Sequence, residues 1–137
     1  MQALYEAKAT ATGSGRGGRV LSSDGALTAD LAVPTSLGGP GGGTNPEQLF
    51  AAGYAACFHS ALQLVARKAK VRVQDSQVSA VVGLGAVEGG YGLSVTLEIS
   101  VPEVERSTVD ELVAAAHQVC PYSNATRGNI DVDLVVV

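Results

Sequence analysis

The sequence predicts an α+β fold in which the strands form hairpins and two segments form helices. Turn residues at 24–25 and 89–90 separate alternating segments that are typical of paired strands. An uncharged stretch at 48–66 and apolar residues at helical spacing over 107–120 indicate the helices. The predicted order is βββ-α-ββ-α-β, which we class as α+β because the strands come as hairpins and not as βαβ crossovers. A chain of 137 residues has the size of one domain, so we expect a single domain over residues 1–137.

The first third of the chain predicts a three-stranded meander. Residues 3–12 alternate in character like a strand. Residues 16–23 and 26–33 flank an Asp-Gly pair, a strong hairpin turn because both of its positions tolerate positive φ. The segment 34–44 is rich in glycine and proline and is typical of a loop.

The predicted central helix follows the capping residues Thr44 and Asn45, has Pro46 near its first position and runs to about Lys70. It is apolar on nearly every side until Gln63, a pattern typical of a helix that is covered all round. Its polar side chains dilute it below what a membrane span requires, so we expect a long buried helix. One small chain can hardly enclose such a helix, which therefore predicts a homodimer.

The second half of the chain predicts a hairpin, a helix and a closing strand. Residues 77–87 and 91–101 form the hairpin around a pair of glycines. The helix covers 107–120, with its apolar residues on one face, and Pro121 stops it. The last strand covers 130–137.

Composition excludes several classes of protein. With 46% hydrophobic and 16% charged residues, the chain is too apolar for intrinsic disorder. Its net charge of -4 and the lack of a basic run argue against a nucleic-acid partner. The first residues lack the basic start and the apolar run of a secretory signal, so we expect a cytoplasmic protein that does not span a membrane.

The glycine-rich stretch GSGRGG at 13–18 matches the G-x-G-x-x-G pattern of dinucleotide sites. That pattern needs a helix opening at its third glycine, whereas a strand and a turn follow here. We therefore interpret the stretch as a connection between strands. It places Arg16 on a backbone that other elements can approach closely, and Arg16 is a candidate cation.

Two cysteines and two histidines raise the question of a metal site. On a helix Cys57 and His59 point about 200° apart, so they cannot bind one ion together. His117 and Cys120 can, which leaves three usable ligands, one short of a closed structural zinc site. We expect no metal.

Cys57 and Cys120 are the only thiols of the chain, and they either fill the core or react with each other. A lone cysteine in an apolar helix is usually a small hydrophobe. Yet Cys57 has Gly53, Ser60 and Ala61 beside it on its helix face, which leaves room at its sulfur. Cys120 lies on the apolar face of its own helix and could meet the first helix across the core. In a reducing compartment such a pair is more often transient and catalytic than structural.

If the thiols pair, their positions suggest different roles. Cys120 ends a helix, where the negative end of the dipole disfavours a thiolate. Cys57 lies in apolar surroundings that raise the pKa of a thiol, so it can attack only if a cation is brought to it. Arg16 is our candidate for that cation, and Glu47 for the carboxylate that orients it.

The spacing of Glu47 and Cys57 restricts how they could cooperate. Ten residues of straight helix separate them by about 15 Å along the axis and about 80° of rotation. They cannot share a site within one unbroken helix. Either the helix breaks near residues 50–54, or Glu47 serves the Cys57 of another subunit; we prefer the second because it also explains the apolar helix.

Two stretches, SLGGPGGGTNPEQLFAAGYAACFHSAL and VCPYSNATRGNIDV, strongly resemble the two cysteine regions of organic hydroperoxide resistance proteins, the Ohr branch of the Ohr/OsmC family. The resemblance runs over essentially the whole chain. It implies the Ohr/OsmC-like fold and a thiol peroxidase that reduces organic and fatty-acid hydroperoxides to alcohols without metal or haem. It also implies an intertwined homodimer with sites at the interface, whose disulfide is re-reduced by lipoylated proteins through a dihydrolipoamide-type dithiol.

The resemblance assigns roles to individual residues. Cys57 corresponds to the peroxidatic cysteine, Cys120 to the resolving cysteine, and Glu47 to the glutamate that orients the active-site arginine. Counting back from the Ser-Ser-Asp at 22–24 assigns that arginine to Arg16, with Arg19 as a second candidate in the same glycine-rich segment.

Apolar residues near Cys57 could favour alkyl chains over hydrogen peroxide. Leu49, Phe50 and Phe58 are the candidates, and plain core packing explains each of them equally well. Two other functions stay open: a non-catalytic module that binds a lipid or another small molecule, and a hydrolase built on the same nucleophile. The hydrolase is the weaker alternative because neither histidine has a predicted place beside Cys57 with a carboxylate behind it.

Overall fold

The computed structural model describes all of residues 1–137. The chain forms two compact units, residues 1–49 and 50–137, and each unit contains its own three-stranded sheet. The class is α+β, as predicted. The prediction of one domain over residues 1–137 stays a prediction.

The N-terminal unit contains the predicted meander. Strands β1 (Ala9–Thr12), β2 (Arg19–Ser22) and β3 (Thr28–Asp30) pair antiparallel in sequence order. All three strands are shorter than predicted, and in the second strand a 3-10 turn at Gly15–Gly17 replaces the predicted start. Gly15 takes a φ of 66°, a conformation that a strand does not allow.

Helix α1 (Pro46–Lys68) begins where the sequence predicts. Asn45 caps it, since its Oδ1 accepts a hydrogen bond of 2.9 Å from the backbone N–H of Gln48. The helix is unbroken from Pro46 to Lys68, so the break that we considered near residues 50–54 does not occur.

Within the single chain, α1 is covered on one face only. The buried face carries Tyr54, Phe58, Ala61, Leu62 and Ala66, and the opposite face exposes the small residues Ala52, Ala56 and Ser60. By length and composition alone it is the one helix that could cross a membrane, and 28% of its most apolar stretch is buried in the chain. The expectation of a helix covered on every side is therefore not met by one chain.

The sheet of the C-terminal unit has the order β4-β5-β6. Strands β4 (Gln77–Val87) and β5 (Gly90–Ser100) form the predicted antiparallel hairpin. Strand β6 (Val132–Val136) lies parallel to β5, which requires a crossover connection. Our expectation that the strands come only as hairpins is thus wrong for β6, although the fold remains α+β.

That crossover contains two helices where the sequence predicted one. Helix α2 covers Arg106–Val119, and the next residue, Cys120, is extended with φ -65° and ψ 122°. A short helix α3 (Pro121–Thr126) starts immediately after it. Pro121 ends one helix and opens the next, because its fixed φ and missing N–H suit the first position of a helix.

The core of the C-terminal unit lies where α1 and α2 pack on one face of the sheet. Its buried side chains come from α1, from alternate positions of β5 and from one face of α2. The β5 and α2 members are Val95, Leu97, Ile99, Val109, Leu112, Val113 and Ala116.

Candidate active site

The two thiols lie side by side in the C-terminal unit. Cys57 is in the middle of α1 and half-buried, and Cys120 is fully buried at the junction of α2 and α3. Both are free thiols, and the Cys120 thiol points at Cys57 with an Sγ–Sγ distance of 3.6 Å. Because a disulfide bond is about 2.05 Å long, a movement of about 1.5 Å would join them.

Gly53 has a close-packing reason to lie one turn before Cys57. A Cβ at this position would come within 2.9 Å of the Tyr122 hydroxyl. Its absence lets the ring of Tyr122 lie against α1, where it joins Phe50 and Tyr54 at centroid distances of 5.7 to 6.2 Å. This aromatic cluster fixes the start of α3 next to the helix that carries Cys57.

The surroundings of Cys57 within its unit disfavour ionisation. Burial raises the pKa of the Cys57 thiol, the backbone of Tyr122 lowers it through a hydrogen bond, and the neighbouring Cys120 raises it further. No cationic side chain contributes to this shift. A thiol in this environment needs an added positive charge to be a thiolate at neutral pH.

The N-terminal unit holds an ion pair. Arg16 donates two hydrogen bonds to the Glu47 carboxylate, Nη1 to Oε2 at 2.8 Å and Nη2 to Oε1 at 2.7 Å. These bonds hold the pKa of the Glu47 carboxyl below its ordinary value and raise the pKa of Arg16. Glu47 lies in the first turn of α1, where the helix dipole also favours a carboxylate.

Arg19, the second candidate arginine, has different partners. Its Nη2 donates to the Thr28 hydroxyl at 2.9 Å, and its Nε lies 3.7 Å from the Asp30 carboxylate. Only Arg16 has a bidentate contact with Glu47, whose geometry leaves the other edge of the guanidinium free for another acceptor.

The three candidate substrate contacts differ in exposure. Leu49 and Phe50 are partly buried. Phe58 has no exposed surface, and its ring lies 6.5 Å from the ring of His117. Phe58 could touch a substrate only if the core opened, so Leu49 and Phe50 are the stronger candidates for a lining.

Both histidines have hydrogen-bond partners outside the thiol pair. His59 Nε2 lies 2.9 Å from the hydroxyl of Ser76, and His117 Nδ1 lies 2.8 Å from that of Ser123. The His, Cys, Asp and Glu side chains form no group of three or more that could hold a metal ion.

The contacts around Ser123 were not predicted from the sequence. The hydroxyl of Tyr54 lies 2.9 Å from that of Ser123 and 3.1 Å from that of Thr126, and all three residues are buried. A tyrosine within an apolar helix is the available signal, because a buried hydroxyl needs a partner.

The fold agrees with what comparison with known proteins finds. A family model described as OsmC-like protein matches residues 39–135. The chain therefore belongs to the OsmC-like family.

The relatives to which the chain is similar have names that are more specific than the family. The chain is 56% identical over 135 residues to the organic hydroperoxide resistance protein of Xanthomonas axonopodis pv. citri, with 97% of this chain and 94% of that protein covered. It is 48% identical to the organic hydroperoxide resistance protein OhrB of Bacillus subtilis, with 96% and 97% covered.

Solved structures of organic hydroperoxide resistance proteins are also similar to this chain. An organic hydroperoxide resistance protein from Legionella pneumophila, also described as a predicted redox protein, matches with a TM-score of 0.93 and 50% identity, covering 98% of both chains. A related protein from Vibrio cholerae, solved with captopril bound in one of its active sites, matches with a TM-score of 0.93 and 49% identity, covering 99% of this chain and 94% of that one. These matches extend the likeness to the Ohr branch of the family.

Proposed function

We propose that the protein is a cysteine-based peroxidase that reduces organic hydroperoxides, including alkyl and fatty-acid hydroperoxides, to alcohols. The observation that carries the proposal is the 3.6 Å separation of the Cys57 and Cys120 sulfurs in a chain that has no other thiol. The names of the relatives, organic hydroperoxide resistance proteins, support the choice of substrate and a role in peroxide detoxification.

The reaction follows ordinary thiol chemistry. The Cys57 thiolate attacks one peroxide oxygen, the O–O bond breaks, and the alcohol leaves after taking up a proton. Cys57 is then a sulfenic acid. The Cys120 thiol attacks this sulfur, the S–O bond breaks, water leaves and a Cys57–Cys120 disulfide forms.

A dithiol resets the enzyme. It attacks the protein disulfide, becomes an internal disulfide itself and restores both protein thiols. We propose dihydrolipoamide, carried on a lipoylated protein, as this reductant, and the cytoplasm as the compartment. No bound cofactor takes part in this scheme.

The ionisation of Cys57 is assigned to Arg16, oriented by Glu47. Within its own unit Cys57 has a raised pKa and no cation contributing to it. Because α1 is unbroken, Glu47 and Cys57 of one chain lie about 15 Å apart along the helix axis. We therefore propose an intertwined homodimer in which the Arg16–Glu47 pair of one subunit serves Cys57 of the other.

The exposed small-residue face of α1 supports this arrangement. Ala52, Ala56 and Ser60 recur at every fourth position and let a second backbone approach closely. A partner helix on this face would complete the burial that one chain does not provide. Leu49 and Phe50 would then offer an apolar lining for the organic part of the peroxide.

Turnover of cumene hydroperoxide with dihydrolipoamide tests the proposed activity. The wild type should consume peroxide and dithiol in equal amounts, and Cys57→Ser should lose roughly a thousandfold or more, because a hydroxyl is a far poorer nucleophile. Full activity of Cys57→Ser would overturn the role of Cys57. Unchanged thiols in the wild type after peroxide addition would instead support a binding module.

Mixed dimers test the shared site. Arg16→Met and Cys57→Ser should each have on the order of 1% of wild-type activity or less alone. Their equal mixture, refolded together, should regain about a quarter of wild-type activity, since half of the dimers then hold one intact site of two. A mixture as inactive as its components, in which mass spectrometry detects the mixed dimer, would rule out sharing between subunits.

A further inference from the structure

We propose that Tyr54, Ser123 and His117 form a one-directional hydrogen-bond chain that holds Cys120 against Cys57 and so decides whether the Cys57 sulfenic acid is resolved or over-oxidised. This proposal makes them positioning residues, and it rests on the peroxidase activity proposed above.

The contacts form a continuous hydrogen-bond chain that is buried except at His117, which is half-buried. It runs from His117 Nδ1 to Ser123 Oγ at 2.8 Å, on to Tyr54 OH at 2.9 Å and then to Thr126 Oγ1 at 3.1 Å. Thr126 closes the chain by donating to the backbone carbonyl of Ser123 at 3.1 Å. Tyr54 and Ser123 have no exposed surface.

Counting protons fixes the direction of every bond. Thr126 must donate to a carbonyl, so its hydroxyl oxygen accepts from Tyr54. The only hydroxyl proton of Tyr54 is then used, and Ser123 must donate to Tyr54. Ser123 has in turn no proton left, so His117 must donate from Nδ1. The chain thus requires a proton on Nδ1 of His117.

The hydrogen-bond chain brackets Cys120 in sequence and connects it to the helix that carries Cys57. His117 is on α2, three residues before Cys120, and Ser123 is on α3, three residues after it. The His117–Ser123 bond therefore spans the extended residue that separates the two helices. Tyr54 is on α1, three residues before Cys57, which ties this junction to the helix that carries the other thiol.

A further contact supports the junction from outside. Arg127, which follows α3, donates from Nη2 to the carbonyl of His117 at 2.6 Å and from Nη1 to the Asn124 side chain. Together with the buried chain, it connects the two ends of the segment that holds Cys120. Cys120 itself makes no polar side-chain contact other than the one with Cys57.

Two reactions compete for the sulfenic acid of Cys57. Attack by the Cys120 thiol gives the disulfide and water, whereas attack on a second hydroperoxide gives sulfinic acid and a second alcohol. The first reaction needs Cys120 close by, and the second does not. Loosening the junction should therefore raise the sulfinic acid formed per turnover without slowing the first attack on peroxide.

Variants of His117 test the direction of the chain. Asparagine can place an N–H near the position of Nδ1, whereas glutamine places it near Nε2. We expect His117→Asn to keep the wild-type yield of sulfinic acid, and His117→Gln and Tyr54→Phe to raise it about tenfold. The yield is measured by mass spectrometry over a series of cumene hydroperoxide doses. Nitrogen NMR of the wild type should show His117 protonated on Nδ1.

A control separates positioning from general loss of stability. Val113→Ala removes buried methyl groups from α2 and leaves every residue of the hydrogen-bond chain in place. We expect this variant to have a lower melting temperature and an unchanged yield of sulfinic acid. An equal rise in Val113→Ala, a low yield in both His117→Gln and Tyr54→Phe, or an Nε2-protonated His117 would each overturn the proposal. Failure of the first peroxide reduction in the wild type would instead overturn the proposed function.

Discussion

The two units of the chain hold different reactive groups in different surroundings. The N-terminal unit holds a bidentate ion pair, Arg16 with Glu47, at the edge of solvent and has no thiol. The C-terminal unit holds both thiols beside an aromatic cluster, where burial raises the pKa of Cys57. Each environment suits its own group, because an ion pair near water keeps most of its hydration and an uncharged thiol loses little free energy on burial. The difference teaches that each group lies where its resting form, charged for the ion pair and neutral for the thiol, is the more stable one.

Removing the Arg16 guanidinium should have the largest effect on the reactivity of Cys57. We expect Arg16→Met to slow the reaction of Cys57 with cumene hydroperoxide by on the order of 100-fold at neutral pH. The sign follows from charge: without the cation the thiol pKa rises, and the thiolate fraction falls. In a plot of the alkylation rate of Cys57 against pH, the midpoint should lie at a higher pH in Arg16→Met than in the wild type. Arg19→Met is the matched control, and a slow Arg19 variant beside a fast Arg16 variant would reverse the assignment.

Neutralising the partner carboxylate should have a smaller effect. In Glu47→Gln the cation remains but is no longer held by two charge-assisted bonds, and we expect about a tenfold slower first step. The double variant Arg16→Met/Glu47→Gln tests whether Glu47 acts through Arg16. If Glu47→Gln slows the first step as much in the Arg16→Met background as in the wild type, Glu47 acts in another way.

The same variant should change the dependence of stability on pH. The Glu47 carboxyl has a lowered pKa in the folded chain, so its stabilisation is present above its ordinary value of 4.5 and is lost as pH falls below it. Urea midpoints between pH 7 and pH 3 should therefore decline less steeply in Glu47→Gln than in the wild type. Parallel declines would mean that the ion pair contributes nothing to the acid limb.

Removing the second thiol should have the smallest effect on the first step. Cys120 raises the pKa of Cys57, although less than burial does. We expect Cys120→Ala to lower this pKa slightly and to leave the first attack on peroxide within about threefold of wild type. The measurement is single-turnover oxidation of Cys57. A large loss would show that Cys120 takes part before the sulfenic acid forms.

Much of the fold was predictable because it depends on local signals. The start of α1 follows from Asn45 and Pro46, and the β4–β5 hairpin follows from alternation around two glycines. The partner of β6 was not predictable in this way, because a parallel pairing is decided by packing across the whole unit and not by a turn. The restart at Pro121 was missed because proline is compatible with both the end and the beginning of a helix.

For the candidate site, the sequence indicated which residues to consider but not what surrounds them. The spacing of the two cysteines on apolar helix faces predicts that they could meet, and the structure brings them together. The contact between Arg16 and Glu47 spans 31 residues; the chemistry of a buried thiol and the resemblance to a family both pointed to this pair, but no periodicity signals the contact. The Tyr54–Ser123 contact spans 69 residues, and no periodicity signals it.

The unbroken stretch of α1 between Glu47 and Cys57 also restricts how this segment can diverge among descendants. An inserted or deleted residue would turn everything beyond it by about 100° and shift it by about 1.5 Å, so the side chains before and after the change would no longer keep their spacing around the helix. Substitutions carry no such penalty. We therefore expect related sequences to differ in this stretch by substitutions and not by insertions or deletions.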